Sequence, residues 1–399
     1  MKQFFTRAFP LILLIIWLAN PLVTTAQQTG SAGTSPSDTT KKKKAPPPPA
    51  QMLTFPVISD ICKIKLNSYA QVRFQYYEPN KDTTGKDLSK PSSFDLRNAR
   101  IILNGNPLHN FSYRFQVDFA PPAVRALDAY GSYTFFPYLK LTLGQQKVPL
   151  SYESLRTDYD IHSISRSQVV EALTSRSTDV LATANQSTTL PATTSTSTLK
   201  SVNNNGRDLG LLASGGIPNK NIQGTNWVDY ALGVFNGAGI NVSDPDRHKD
   251  IAGRAVVHPI KNLGVGGSFY SGMATYGIDK SKPKDRDRWG LEASYEDGKW
   301  IYAAAEYLQG KDSVTKKGGY YAEAEGFFIP KKAGILVKYD FYDPNKAKSK
   351  NETTITSFAL NWYFAAYTKI QVQYDFVHED GAETQIKNNL LSIQGQIYF

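Results

Sequence analysis

The residue types that could carry catalysis are few and scattered. Five histidines, His109, His162, His248, His258 and His378, form no paired spacing that suggests a zinc site. Cys62 is the single cysteine, so a thiolate cluster and an intrachain disulfide are both excluded. No Gly-x-Ser-x-Gly elbow occurs, and no glycine loop runs into Lys-Ser or Lys-Thr to cradle a phosphate. A Ser-His-Asp set drawn from distant strands stays open, but nothing points positively to an enzyme, a metal or a cofactor. The charged residues are more informative. Arg73, Arg114 and Lys140 sit on the polar side of alternating segments, as does Arg100, and Asp118 and Asp128 share that side. Fixed charges along a narrow passage select permeant ions by sign, and a guanidinium fork suits phosphate or carboxylate. The other reading is that the arginines pair with the acids and brace a wall.

Alternation is what must position these residues. From Lys63 the period is two. Ile64, Leu66, Ser68, Ala70, Val72, Phe74 and Tyr76 share one face, and Lys65, Asn67, Tyr69, Gln71, Arg73 and Gln75 the other. Residues 111–119, Phe-Ser-Tyr-Arg-Phe-Gln-Val-Asp-Phe, show it most cleanly. One such segment could equally be a half-buried soluble strand; the repetition decides. Comparable segments recur to the end of the chain, and we count about sixteen, each near the roughly 9–11 residues a tilted strand needs to cross a bilayer. The last, 388–399, puts Leu391, Ile393, Gly395, Ile397 and Phe399 on one face, and is expected to close a barrel against about 63–77. Paired aromatics at segment ends, such as Phe135-Phe136, Tyr320-Tyr321 and Trp362-Tyr363-Phe364, fit the girdles of a membrane barrel. The chain holds 23 Tyr, 20 Phe and 29 Gly at a mean hydropathy of −0.38, as expected when apolar outward and polar inward residues average out. The expected fold is therefore an all-β, transmembrane, antiparallel β-barrel over 57–399.

Short connectors such as 136–138 and 297–299 alternate with longer polar ones such as 78–92 and 344–352, the short ones mostly falling on the periplasmic side. Connector 217–226 is an exception, long where a short one is expected. The longest break, 149–205, is expected to fold its first part into the barrel as a constriction, with a short helix over 161–173, and to end in a flexible Ser/Thr-rich insertion.

Residues 1–26 read as a secretory signal peptide: Lys2 and Arg7, an apolar core at 11–18, and Thr24-Thr25-Ala26 before the expected mature terminus Gln27. Residues 27–56, with Lys41–Lys44 and Pro46–Pro49, read as a solvated linker. Lys2, Arg7 and Lys41–Lys44 are six positive charges set against a net excess of ten, so the basicity is weak support for a nucleic-acid partner.

Several segments resemble one family, the phosphate-selective porin O and P group. They are Arg97-Asn98-Ala99-Arg100, Val117-Asp118-Phe119, Leu127-Asp128-Ala129-Tyr130, Gly144-Gln145-Gln146-Lys147-Val148-Pro149 with Ser151 and Glu153, Ser165-Arg166-Ser167, and Gly206-Arg207-Asp208-Leu209-Gly210. The resemblance covers about 95–210 well and the rest in rhythm. It implies a sixteen-stranded homotrimeric porin of the Gram-negative outer membrane, with a third loop folded inward, Arg166 and Arg207 near the constriction and Lys147 at the loop base. It also implies lipid and the barrel assembly machinery as partners, and small anions or other polar solutes as cargo. Phosphate-specific members use a dense lysine cluster; here the loop after Pro149 holds Arg156, Arg166 and Arg176 but no lysine until Lys200. The expected function is passive diffusion, with Arg73, Arg100, Arg114, Lys140, Arg166 and Arg207 shaping the field. A surface binding or adhesion protein on the same barrel is the alternative, and a barrel enzyme a more distant one.

Overall fold

The computed structural model describes residues 64–79, 89–121, 123–174, 206–222, 224–241, 248–274, 284–380 and 388–399. The signal peptide, the linker, Cys62 and the Ser/Thr-rich insertion lie outside the described residues.

Sixteen antiparallel strands close into one barrel, each paired to its neighbours in sequence and the last to the first. They are β1 (Lys65–Tyr77), β2 (Ser93–Leu108), β3 (Phe111–Asp118), β4 (Arg125–Phe136), β5 (Leu139–Lys147), β6 (Arg207–Pro218), β7 (Asn226–Phe235) and β8 (Asp250–Val257). The second half is β9 (Leu263–Ala274), β10 (Lys284–Glu296), β11 (Ile301–Asp312), β12 (Thr315–Ile329), β13 (Ala333–Asp343), β14 (Thr353–Ala365), β15 (Thr368–Glu379) and β16 (Leu390–Tyr398). Closure leaves no strand edge, so every strand has a ladder partner on both sides. Tyr69 pairs with Tyr398 and Tyr77 with Leu390 across the seam, as the alternating C-terminal segment requires.

The period-two pattern sorts the faces. Leu143, Leu211, Ile335 and Ile397 are exposed on the outside, whereas Gln71, Gln371, Gln394 and Gln396 are buried inside. Phe135, Phe136, Trp362 and Phe364 stand outward at strand ends. The aromatic doublets split, however. Tyr320 faces out, while Tyr321 is buried inside, and Tyr363 turns inward to donate its hydroxyl to Glu325. Where the strand is regular, neighbouring residues cannot share a face, so one residue of such a pair belongs to the interior. Phe135 and Phe136 both face out because the register shifts between Thr134 and Phe136.

The hairpins at the short-turn end are tight. Asn262, Gly298, Lys331 and Tyr367 each supply a positive φ, between 59° and 70°. The Asp297 carboxylate accepts N–H groups of Lys299, Trp300 and Ile301 at 2.7–3.0 Å, and these bonds hold its pKa below the usual range. The exceptional connector proves to be 219–225 and holds no further strand. The Asn219 side chain organises it, accepting N–H groups of Asn221 and Ile222. Between β11 and β12 the strands extend further than the alternation suggests and leave a two-residue turn, Ser313-Val314.

Candidate functional site

The connector after β5 supplies the centre of the site. Ser151, at φ 73°, turns the chain inward and caps a single-turn helix, α1 (Tyr152–Leu155). From the far wall Glu306 takes the Ser151 hydroxyl at 3.0 Å and the Tyr152 N–H at 3.1 Å. The segment then runs to α2 (Gln168–Thr174), whose Val169, Val170 and Leu173 pack on Tyr302, Leu308 and Tyr321 of β11 and β12. The helix expected over 161–173 is thus only its second half. Its first half cannot be helical, because the wall takes its backbone carbonyls. Lys369 bonds to the Ile161 carbonyl, Asn361 and Gln371 to that of His162, and Arg97 to that of Ile164. A helix would need those acceptors for its own N–H groups.

Side chains of the segment are held as firmly. His162 meets the Glu325 carboxylate at 2.5 Å and stacks on Tyr302 with ring centroids 3.6 Å apart. Glu153 pairs with Lys338 at 2.7 Å. Asp158 pairs with Arg100 at 2.5 Å and Arg166 at 2.7 Å, all three buried. Burial alone would lift the Asp158 carboxyl, but Arg100, Arg166 and Arg97 outweigh it and hold the pKa well below the usual carboxylate range. Glu171 is the opposite case: burial outweighs its cations and raises its pKa. Hydrogen-bond partners come from β1, β2, β5 and the arc β9–β16. Residues 151–174 therefore lie across the lumen, and the wall from β3 through β8, β5 excepted, contributes no such bond among the described residues.

Most of the expected residues converge here, and they are paired. Arg100 also holds Asp118 at 2.9 Å. Arg114 and Arg207 share Asp128, at 2.9 and 2.5 Å. Arg166 bonds to the Asp158 carboxylate and to the Glu153 and Arg156 carbonyls. Lys147 sits at the loop base and donates to the carbonyls of Ser154 and Arg156 at 2.7 and 2.6 Å. Two expected residues stand apart. Arg73 pairs with Asp95 toward the long-loop end. Lys140, opposite Thr134 and on the side of the buried Thr142, lies exposed near the short-turn end.

Arg97 was not anticipated as inward. Counting by twos from Arg100 puts it on the lipid side, but a bulge sets Gln71 opposite Asn98 and Val72 opposite Leu96. The extra residue swings Arg97 inward to Ile164 and Gln394. Lys338, Lys369 and the Arg254–Glu292 pair were also missed, although each lies on the polar side of its strand and could have been read there.

A model of the family described as phosphate-selective porin O and P matches residues 64–399, the whole barrel. The chain belongs to that family. It is a porin of the Gram-negative outer membrane, a channel-forming barrel rather than an enzyme fold. Solved structures share the architecture. An anion-selective porin from Comamonas acidovorans is 15% identical, with a TM-score of 0.57, over 84% of this chain and 99% of that one. OmpF of Salmonella typhi, solved with daunomycin, is 11% identical with a TM-score of 0.59, over 86% and 99%. OmpT of Vibrio cholerae in its trimer form is 9% identical with a TM-score of 0.56, over 85% and 100%. At these identities the likeness concerns the fold. No curated protein sequence matches this porin.

Proposed function

We propose that this porin passes small anions, phosphate among them, by diffusion along the side of the lumen to which residues 151–174 make the fewest bonds among the described residues. The carrying observation is the charge balance of β1–β6 and residues 151–174, which border that side. Asp118, Asp128 and Asp158 serve Arg100, Arg114, Arg125, Arg166 and Arg207, while Arg97 and Lys147 bond to carbonyls and an amide. With Asp95, Glu153, Asp160, Glu171 and Asp208 also counted, β1–β6 and residues 151–174 hold eleven Lys and Arg against eight Asp and Glu, a modest net positive charge. In a confined, poorly screened passage a net positive wall lowers the energy of a passing anion and raises that of a cation. Arg114 and Arg254, each with a side chain about 20% exposed, and the exposed Lys140 are the cations most open to a solute. The Comamonas acidovorans porin, described as anion-selective, supports the same reading. By likeness to the trimer form of Vibrio cholerae OmpT we also propose a homotrimer.

Reversal potentials across planar bilayers holding a KCl gradient test the selectivity. Chloride should permeate better than potassium, and added phosphate should reduce the chloride current. Equal or greater potassium permeability would overturn the anion reading and leave the channel itself standing.

A further inference from the structure

We propose that a cavity at the short-turn mouth is a binding subsite for a phosphorylated monosaccharide, a reading that rests on the channel function above and names a cargo for it. The cavity measures about 150 Å³. At about 30 Å³ of liquid volume per water that is room for roughly five waters, or for one six-membered polyol ring. Its lining combines three kinds of group. Tyr159, Tyr363 and Tyr367 offer ring faces and hydroxyls. Asp160 and Glu296 offer carboxylate oxygens, and Lys299, Lys331 and Lys369 offer cations.

Lys369 marks this as a site rather than a gap. It is 2% exposed, donates to the Ile161 carbonyl at 2.5 Å and lies 5.5 Å from the Tyr363 ring centroid. An ammonium carries three donors, and that carbonyl is its one acceptor among the described residues, so two N–H groups are left for a guest. Each acid has a cationic or donor partner and keeps lone pairs for a further donor. Arg156 binds Asp160 at 3.0 Å and Glu296 at 3.2 Å, and His162 with Asn361 and Tyr363 binds Glu325. Lys299 and Lys331 stand exposed at the rim. Tyr159, Tyr367 and Tyr398 hold one another at centroid distances of 4.9–5.3 Å, which fixes the aromatic wall before any guest arrives.

This mixture discriminates. A bare phosphate would find the lysines but leave the carboxylate oxygens and the aromatic wall unused. A neutral sugar would use the rings and carboxylates but leave the buried ammonium without an anion. A sugar phosphate uses all three, hydroxyls to carboxylates, ring C–H face to tyrosine, phosphate to lysine.

Full-length protein in planar bilayers provides the test. Single-channel steps in KCl come first; a silent bilayer would sink the channel reading itself. With conduction established, glucose 6-phosphate is added from the short-turn side and compared with glucose and with inorganic phosphate. Glucose 6-phosphate should block at a concentration at least about tenfold lower than either, an increment of ~1.4 kcal/mol. Lys369→Met should raise the blocking concentration by a similar factor while steps in KCl persist. Should Lys369→Met fail to assemble, Lys299→Ala with Lys331→Ala, both in surface turns, should weaken block several-fold. Glucose 6-phosphate acting no better than inorganic phosphate, or block unchanged in an assembled variant, would overturn the proposal.

Discussion

At the residue scale, Asp158 ties residues 151–174 to the barrel wall. It is the one carboxylate described that binds an arginine of the wall, Arg100, and an arginine of the loop, Arg166, at once. Asp158→Asn leaves both guanidiniums buried with their shared countercharge gone, although Arg100 keeps Asp118. Removing one partner of a buried pair costs about 3–5 kcal/mol, and the retained partner puts this case near the lower bound. The loop should loosen while the barrel stays closed. Faster hydrogen exchange confined to 151–174 and noisier open-channel current would register it; exchange unchanged in that segment would refute it. The pH dependence follows from the same group. Its pKa in the folded protein is depressed, so its contribution is complete above the unfolded value, ~3.9, and is lost as pH falls through the lower folded value. The difference in loop exchange between wild type and Asp158→Asn, which cancels the titration of Glu171 and the wall carboxylates, should therefore be constant from neutral pH to about pH 4 and shrink below it.

At the element scale, each strand is one alternating stripe, and its two faces tolerate different changes. Leu143 stands on the outside halfway along β5, opposite Leu211 of β6. Leu143→Arg should cost roughly 2–4 kcal/mol if it lies near the bilayer midplane, whereas Leu143→Phe should be nearly neutral. Urea unfolding in lipid vesicles measures both, and equal stabilities would contradict the assignment of that face to lipid. The stripes were legible because alternation is local. The bulge at Arg97 was not legible, because it is set by the register against β1. The half-helix at 161–167 was equally hidden. Its residues are acceptable in a helix, and only Lys369, Gln371 and Asn361, some two hundred positions later, take the carbonyls away.

At the scale of the whole molecule, closure makes the channel and the loop divides it. Bonds to β1, β2, β5 and β9–β16 hold 151–174 toward one arc of the wall, and the proposed solute path runs along the other. A barrel so filled should be rigid enough to survive extraction. The proposed homotrimer should appear by light scattering in mild detergent at three times the protomer mass, and a monodisperse monomer would count against it.

The strand count, the lipid and lumen faces, the closing strand and most of the lumen cations can be read from the amino-acid order alone. Those follow from backbone pleat and from the cost of placing polar groups in lipid, which act on each residue wherever its partners are. Only the tertiary structure decided that the arginines are paired, that Arg97 joins them, that Lys140 and Arg73 stand apart, and that a cavity with a buried ammonium opens at the short-turn mouth. Each of these depends on a distance between residues far apart in the chain, such as Ile164 to Gln373 or His162 to Glu325, and no local pattern encodes such a distance.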